Sequence, residues 1–172
     1  MYSLQDVNDL TKPEFTATIG AVFEHSPWVA QHSWKHHPFV SVEEMHDKMV
    51  HEMMIAETTL QLSLLRAHPD LGTKLSISDA SKQEQEGAGL SQLTAQEYNK
   101  FSELNKNYTE KFGFPFIMAV KGQSKENILA QMQKRYSHSY DSEMETALQE
   151  VSKIAKFRLD DLVMDHAPSN LA

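Results

Sequence analysis

The sequence contains no cysteine, which excludes disulfide bonds, a thiolate nucleophile and any cysteine-bound metal or cluster. Glycine and proline are also few, at 6 each among 172 residues, and neither a repeat nor a low-complexity linker interrupts the chain. This length and balance are typical of one globular domain, and a chain without cysteine suits a reducing compartment. Histidine and carboxylate side chains are therefore left to carry any catalytic chemistry.

Basic side chains are also scarce, since 16 lysines and arginines stand against 24 acidic residues, giving a formal net charge of -8. They are scattered along the chain, so we expect no nucleic-acid surface and a small molecule as the partner. The longest apolar run, residues 114–120, is too short to cross a bilayer and contains Pro115. Neither end of the sequence resembles a secretion or peroxisomal signal, so we predict a cytoplasmic protein with no membrane partner.

What the sequence does contain is a series of helix signals. Three capping boxes predict helix starts, and apolar residues recur behind each of them at the spacing of one helical face. These boxes are Thr11 with Glu14, Ser41 with Glu44, and Thr94 with Glu97. Apolar residues predict further helices over 128–136 and 144–162, and Gly113 is the expected end of the helix from Thr94. Ser26 and Pro27 supply an N-cap and a first-turn proline for one more.

The middle of the chain predicts one long helix and one buried extended segment. An apolar stripe follows Ser41 without a break, so we expect a single helix that ends near Ala67. Residues 114–120 are too short and proline-broken for a helix, and we expect buried extended chain there. The predicted fold is all-α, a single-domain compact helical bundle over residues 1–172, with 165–172 as a flexible tail or the beginning of a linker.

Arg158 lies on the apolar stripe of the last predicted helix, which steps by three and four through Ala155 and Leu162. A guanidinium keeps its charge and is costly to bury alone, so an arginine facing the core implies a carboxylate partner in the protein or in a ligand. The alternative is that its stem lies along the core and its head reaches water. A non-enzymatic helical interaction module is disfavoured, because a plain bundle gains nothing from this arginine.

His68 comes directly after the predicted long helix, because Pro69 lacks an amide proton and disfavours helical backbone at the residue before it. Gly72 then allows the chain to turn. Unpaired carbonyls at a helix C-terminus favour a protonated imidazole, so His68 could act as a general acid. The alternative is a structural histidine that only caps those carbonyls.

Ser81 and Glu84 repeat the capping-box pattern. The simplest interpretation is a short helix that begins at Ser81 and ends by Gly87. In a functional interpretation, the unpaired amides at this helix start face a ligand, and Glu84 and Gln85 anchor it.

His32 and His36 are spaced for one helical face and could bind a metal, which would make the protein a metal-dependent hydrolase. Prolines bracket this segment, however, and His51-Glu52 lacks the second histidine of a zinc-protease motif. We therefore predict no metal site.

Four sequence blocks together resemble one family, the 2-oxo-4-hydroxy-4-carboxy-5-ureidoimidazoline (OHCU) decarboxylases. The blocks are R-A-H-P-D-L-G at 66–72, S-K-Q-E-Q followed by A-G-L at 81–90, F-G-F-P-F-I-M-A-V at 112–120 and K-F-R-L at 156–159. The resemblance extends from F-E-H-S-P-W at 23–28 through Leu162, with the blocks in the order and spacing of the family.

This resemblance implies a compact helical fold, usually a homodimer, that converts OHCU to (S)-allantoin and carbon dioxide in urate breakdown, with no cofactor. The matching positions imply that His68, Glu84 and Arg158 are catalytic. The implied substrate contacts are Pro69, Ser81, Lys82, Gln83, Glu84 and Gln85, with Phe116, Ile117, Met118, Ala119 and Val120 as a pocket wall. Some relatives are joined to urate oxidase, so this chain is either a free enzyme or one part of such a fusion.

The implied chemistry suits these residue types, because loss of carbon dioxide leaves an electron pair that the substrate's own imidazoline ring can accept. We expect Arg158 to clamp the carboxylate with charge-assisted hydrogen bonds. We expect His68 to donate a proton to one face of the ring, and Glu84 to orient His68 or to anchor the hydroxyl or ureido group.

Overall fold

The computed structural model describes residues 1–72 and 77–166, and its secondary structure confirms the all-α class. Nine α-helices occur within these residues: α1 Leu4–Asn8, α2 Lys12–Ile19, α3 Trp28–Ser33, α4 Val42–Met54, α5 Thr58–Arg66, α6 Asp79–Gly87, α7 Ala95–Phe112, α8 Lys125–Tyr136 and α9 Tyr140–Leu162. Two-residue strands, β1 Tyr2–Ser3 and β2 Val163–Met164, pair in parallel with Tyr2 opposite Val163. Among the described residues, no helix combines the length and the apolar character that crossing a membrane would need.

The chain divides into two compact units, Met1–Leu64 with Ser152–Ala172, and Leu65–Val151. Fully buried side chains of the first unit include Phe15, Ile19, Met45, Met49, Met53 and Leu159, and those of the second include Phe101, Tyr108, Phe114, Phe116 and Met132. Each unit therefore has apolar residues of its own to bury, and the organisation of residues 1–172 as a single domain stays a prediction.

The helix starts predicted at Thr11, Ser41 and Thr94 are confirmed. At Thr11 and Thr94 the hydroxyl accepts the third amide of the helix, and the glutamate at that position accepts the N–H of the cap residue. That backbone hydrogen bond lowers the pKa of Glu14, and the same bond together with Lys125 lowers the pKa of Glu97. Gly113 ends α7 in the left-handed conformation, at φ +77°, as predicted.

The prediction of one long helix after Ser41 is wrong, because the chain breaks between α4 and α5. The helix from Ser41 ends at Met54, and the next begins at Thr58. The Gln61 carboxamide donates at 3.1 Å to the carbonyls of both Met53 and Met54, which are among the carbonyls that a helix end leaves unpaired. The Gln61 side chain thus bonds two carbonyls at the end of α4, and the helix ends there although no glycine or proline follows it directly.

Two smaller predictions also change. Ser26 is not an N-cap, because Pro27 takes that position and the Ser26 hydroxyl donates to the carbonyl of Glu24. Asp165, in the predicted tail, accepts the amide of Val42 at 2.7 Å at the start of α4, so it is fixed to the first unit. Residues 167–172 of that tail lie outside the described residues.

The buried extended segment is confirmed. Residues 115–120 have neither helical nor strand hydrogen bonding, and every residue from 114 to 120 is buried except Met118, which is half-buried.

Candidate active site

His68 is buried, with 8% of its surface exposed, directly after the end of α5 at Arg66. Its amide donates to the carbonyl of Leu65 at 3.2 Å, which closes the last turn. The predicted position of His68 beyond the helix end is confirmed. Pro69 and Asp70 after it are half-buried, and burial raises the pKa of the Asp70 carboxyl.

The loop after α5, residues 67–72, is called here the His68 loop, and two buried carboxamides hold its backbone. Gln85 on α6 accepts the amide of Gly72 at 3.0 Å and donates to the carbonyl of Asp70 at 3.4 Å. Asn105 on α7 donates to the carbonyl of Leu71 at 2.8 Å. Three consecutive residues of the loop are therefore fixed to α6 and α7.

Gly72 has a steric as well as a conformational reason to be glycine. Its φ is +74°, in the left-handed region that side chains disfavour, so it makes the predicted turn. An added Cβ would stand 3.0 Å from the Leu93 side chain and 3.3 Å from the Phe101 ring. The His68 loop consequently turns in close contact with these two side chains.

Helix α6 begins three residues earlier than predicted, so the interpretation of Ser81 as its N-cap is wrong. Ser78 is the N-cap, and its hydroxyl and carbonyl accept the amides of Ser81 and Lys82 at 3.2 and 2.9 Å. Because these amides are bonded within the helix, the expected row of unpaired amides from Ser81 is absent at those two positions. Ser78 was not predicted, because it lacks a glutamate three residues later in the sequence.

Residues 81–85 are arranged by their positions on α6. Ser81 and Gln85 are four apart and buried, Glu84 is half-buried, and Lys82 and Gln83 are exposed. Both ends of the Gln85 carboxamide bond the His68 loop, so the helix that carries Glu84 is tied directly to the loop that carries His68. The five substrate contacts expected here stay predictions.

The predicted pocket wall, residues 116–120, is held by buried charged groups. Arg135 on α8 donates to the carbonyl of Ile117 at 2.7 Å, and its guanidinium lies 4.3 Å from the centroid of the Phe116 ring. Glu150 on α9 accepts the amide of Ala119 at 3.2 Å. Charged side chains therefore satisfy backbone groups that strand pairing would otherwise satisfy.

Arg135 is itself neutralised by Glu143, which is fully buried. One oxygen of Glu143 accepts from Arg135 Nε at 2.9 Å and from the Tyr108 hydroxyl, and the other lies 3.0 Å from His138 Nδ1. Burial, together with the charge of Glu143, raises the pKa of Tyr108. The phenol is thus kept as a hydrogen-bond donor.

Arg158 on α9 has a carboxylate partner inside the protein. Its Nη1 lies 2.8 Å from Glu24 Oε2, and the side chains of Arg158 and Glu24 are 9% and 1% exposed. The same nitrogen donates to the carbonyl of Val22 at 3.4 Å. The prediction of a partner for a core-facing arginine is confirmed, and the alternative with its head in water is wrong.

The structure brings together the regions around His68 and Glu84, both in the unit Leu65–Val151, through Gln85. Arg158 belongs to the other unit, where it pairs with Glu24. The catalytic roles of these three residues stay predictions.

Sequence reasoning missed Glu24, Asn105, Arg135 and Glu143. The sequence contained a signal for Glu24, because an arginine on an apolar stripe predicts a carboxylate partner and F-E-H-S-P-W contains a glutamate. The other three lie among polar residues on helices, where nothing distinguishes a buried polar side chain from an exposed one.

The histidines of the metal alternative have separate partners. The His32 ring packs on Trp28, with centroids 5.6 Å apart, whereas His36 Nε2 lies 2.8 Å from Glu52. Within residues 1–72 and 77–166, no group of three or more histidine, aspartate or glutamate side chains is arranged to hold a metal ion.

Comparison with known proteins identifies similar chains. The OHCU decarboxylase family model matches residues 8–160. A 2-oxo-4-hydroxy-4-carboxy-5-ureidoimidazoline decarboxylase of Haloferax volcanii is 45% identical over 157 residues, which cover 91% of this chain and 94% of that protein. The uric acid degradation bifunctional protein PucL of Bacillus subtilis is 40% identical over 171 residues, 99% of this chain but 35% of PucL. A crystal structure of (S)-allantoin synthase has a TM-score of 0.76 and 28% identity, covering 94% of this chain and 54% of its own.

Proposed function

This chain belongs to the OHCU decarboxylase family, and from that membership we propose that it converts OHCU to (S)-allantoin and carbon dioxide without a cofactor. The Haloferax volcanii relative supports this proposal because it carries the decarboxylase name over nearly the same length. The structural observation that carries it is the buried His68, in a loop that Gln85 ties to the helix bearing Glu84.

The reaction requires the protein to position the substrate and to supply one proton. The bond between the ring carbon and the carboxylate breaks, carbon dioxide leaves, and the electron pair is accepted by the imidazoline ring of the substrate. A proton is then added to one face of the ring, which sets the handedness of allantoin. Fixed placement of charged and acidic groups is what a protein contributes to such a step.

The proposed roles follow from these needs. His68 is the acid that delivers the proton, and its loop is held at three successive residues. Glu84 orients His68 or anchors a polar group of the substrate. Arg158 binds the carboxylate through its planar guanidinium, a geometry that lysine lacks.

The proposed substrate contacts include Pro69, residues 81–85 and the wall at 116–120. What supports the wall is that Arg135 and Glu150 hold two of its backbone groups from within the protein. A wall fixed in this way could present its side chains to a ligand without paying ordering entropy on binding.

The proposal is tested by adding the protein to OHCU generated from urate by urate oxidase and hydroxyisourate hydrolase. Circular dichroism of the product follows the appearance of (S)-allantoin. We expect the protein to accelerate this signal, and a rate equal to spontaneous decay would overturn the proposal.

His68→Asn is the decisive variant. We expect turnover to fall by about 10²–10⁴-fold, the usual contribution of a general acid. His51→Asn is the matched control, because His51 is exposed on α4 and is neither a proposed catalytic residue nor a proposed substrate contact. If the folded His68→Asn protein keeps most of its turnover, His68 is not the general acid and only caps the helix end.

We also propose a homodimeric assembly and a cytoplasmic location. A homodimer is what the family resemblance implies, and light scattering after gel filtration would test it. The bifunctional name of PucL supports a fusion with another urate-degrading enzyme as one arrangement for this chain, which the full gene would decide. A cytoplasmic location rests on the cysteine-free composition, and cell fractionation would test it.

A further inference from the structure

We propose that Glu24 is a positioning residue for the reaction, which holds the Arg158 guanidinium in the orientation that receives the substrate carboxylate. The inference rests on the proposed function. Its basis is the buried contact of 2.8 Å between Glu24 Oε2 and Arg158 Nη1, in which the carboxylate is 1% exposed.

Two groups from one turn contact the same guanidinium nitrogen. Nη1 is bonded to the Glu24 carboxylate at 2.8 Å and to the Val22 carbonyl at 3.4 Å. Because the guanidinium is planar and rigid, fixing one nitrogen by two acceptors also fixes the plane of the whole group. The orientation of Arg158 is thus set by Val22 and Glu24, which lie 136 and 134 positions before it in the sequence.

The turn that carries Glu24 is held in an unusual conformation. His25 has φ +44°, in the left-handed region, although it is not glycine. The buried Ser26 hydroxyl donates to the Glu24 carbonyl at 2.8 Å, and His25 Nε2 lies 3.6 Å from Glu24 Oε1. Backbone strain of this kind persists where the surroundings fix it, and it is concentrated at functional sites.

The test is Glu24→Gln, which keeps the shape of the side chain and removes its charge. Since the substrate carboxylate is present before the reaction, a misplaced Arg158 should weaken binding, and we expect KM to rise at least tenfold with a smaller change in kcat. Glu52→Gln is the matched control, because Glu52 is a buried carboxylate paired with Lys35 at 3.0 Å in the same unit. The control should lose stability but keep the wild-type KM.

A double-mutant cycle separates positioning from general destabilisation. Once Arg158→Lys has removed the planar group, Glu24→Gln should cause less than a twofold further loss in kcat/KM. A wild-type KM in folded Glu24→Gln, an equal KM change in Glu52→Gln, or additive losses in the double variant would each overturn the inference.

If Glu24→Gln does not fold, Glu24→Asp is measured instead, which keeps the charge on a shorter stem. We expect its KM to rise several-fold, and a wild-type KM would overturn the inference. An inactive wild-type protein would contradict the proposed function itself, whereas an active wild type with an unaffected Glu24 variant contradicts only the role of Glu24.

Discussion

Each of the two units buries an arginine–glutamate pair, and the two pairs have different surroundings. In the unit Leu65–Val151, Glu143 receives Arg135, a tyrosine hydroxyl and a histidine, and the arginine also bonds a carbonyl of the extended segment. In the other unit, Glu24 holds Arg158 next to a residue with positive φ. The first pair supports backbone, whereas the second is built on a strained turn.

Burial of an ion pair therefore does not by itself reveal its role. Two charges taken out of water gain little net stability unless other groups complete their hydrogen bonds. Glu143 meets that condition with donors from three side chains, which indicates a structural role. The left-handed backbone at His25 costs on the order of 1–3 kcal/mol, and such a cost is typical of a position kept for function.

The largest expected effect is on stability, from Arg135→Met. Removing one partner of a buried pair leaves Glu143 uncompensated, which costs about 3–5 kcal/mol of unfolding free energy. Urea denaturation followed by circular dichroism measures the loss. Arg66→Met is the control, because the exposed Arg66 also bonds a backbone carbonyl, and it should lose less than about 1 kcal/mol. Equal losses would remove the distinction between the buried and the exposed arginine.

The next effect is on activity, from Arg158→Lys. Lysine keeps the positive charge but not the planar fork, so we expect kcat/KM to fall about 100-fold, equivalent to about 2.7 kcal/mol. Lys156→Ala, on the same helix and in an exposed pair with Asp160, should keep wild-type activity. Full activity of Arg158→Lys would indicate that the Arg158–Glu24 pair has a structural role, like the Arg135–Glu143 pair.

Tyr108→Phe is expected to lower the stability of the protein by a smaller amount. The change removes one donor from the fully buried Glu143, and loss of a hydrogen bond to a charged group costs about 2 kcal/mol. Tyr136→Phe on α8 is the exposed control. If thermal unfolding gives the same midpoint for both variants, the hydroxyl of Tyr108 does not stabilise the pair.

The smallest effect is a pH dependence at Glu52. Burial raises the pKa of Glu52, but hydrogen bonds from His36 and Lys35 lower it by more, so it lies below 4.5. The folded state thus binds this proton more weakly than the unfolded chain does. The resulting stability is complete above pH 4.5 and is lost as the pH falls through the lowered pKa.

Wild type should therefore be more stable than Glu52→Gln at neutral pH, and the difference between their unfolding free energies should become smaller below pH 4.5. Urea denaturation across that range measures it. A difference that does not change with pH would show that Glu52 acts only through packing.

Local signals predicted much of the fold. Thr11, Ser41 and Thr94 begin their helices as expected, because the hydrogen bond from the third helical amide to the cap hydroxyl involves only four successive residues. The break after Met54 was missed because Gln61, beyond the break, satisfies the helix end. Ser78 was missed because the residue three positions after it is Ser81, whereas Ser81 is followed three positions later by Glu84 and so matches the capping-box pattern.

The candidate site was predictable only in part. The position of His68 follows from Pro69, and the need for a partner to Arg158 follows from its place on an apolar stripe. The identity of that partner does not follow, because Glu24 and Arg158 are 134 positions apart and their contact depends on tertiary packing. Arg135 and Asn105 were missed for the same reason, since each bonds backbone far away in the sequence.

The two carboxamides that hold the His68 loop make it sensitive to a change of one atom. Gln85 and Asn105 each use an NH₂ group to reach a loop carbonyl. Deamidation to the acid would keep the volume of either side chain but would set an oxygen against an oxygen, so attraction would become repulsion. Deamidation of either side chain should therefore release the His68 loop from the helix that holds it.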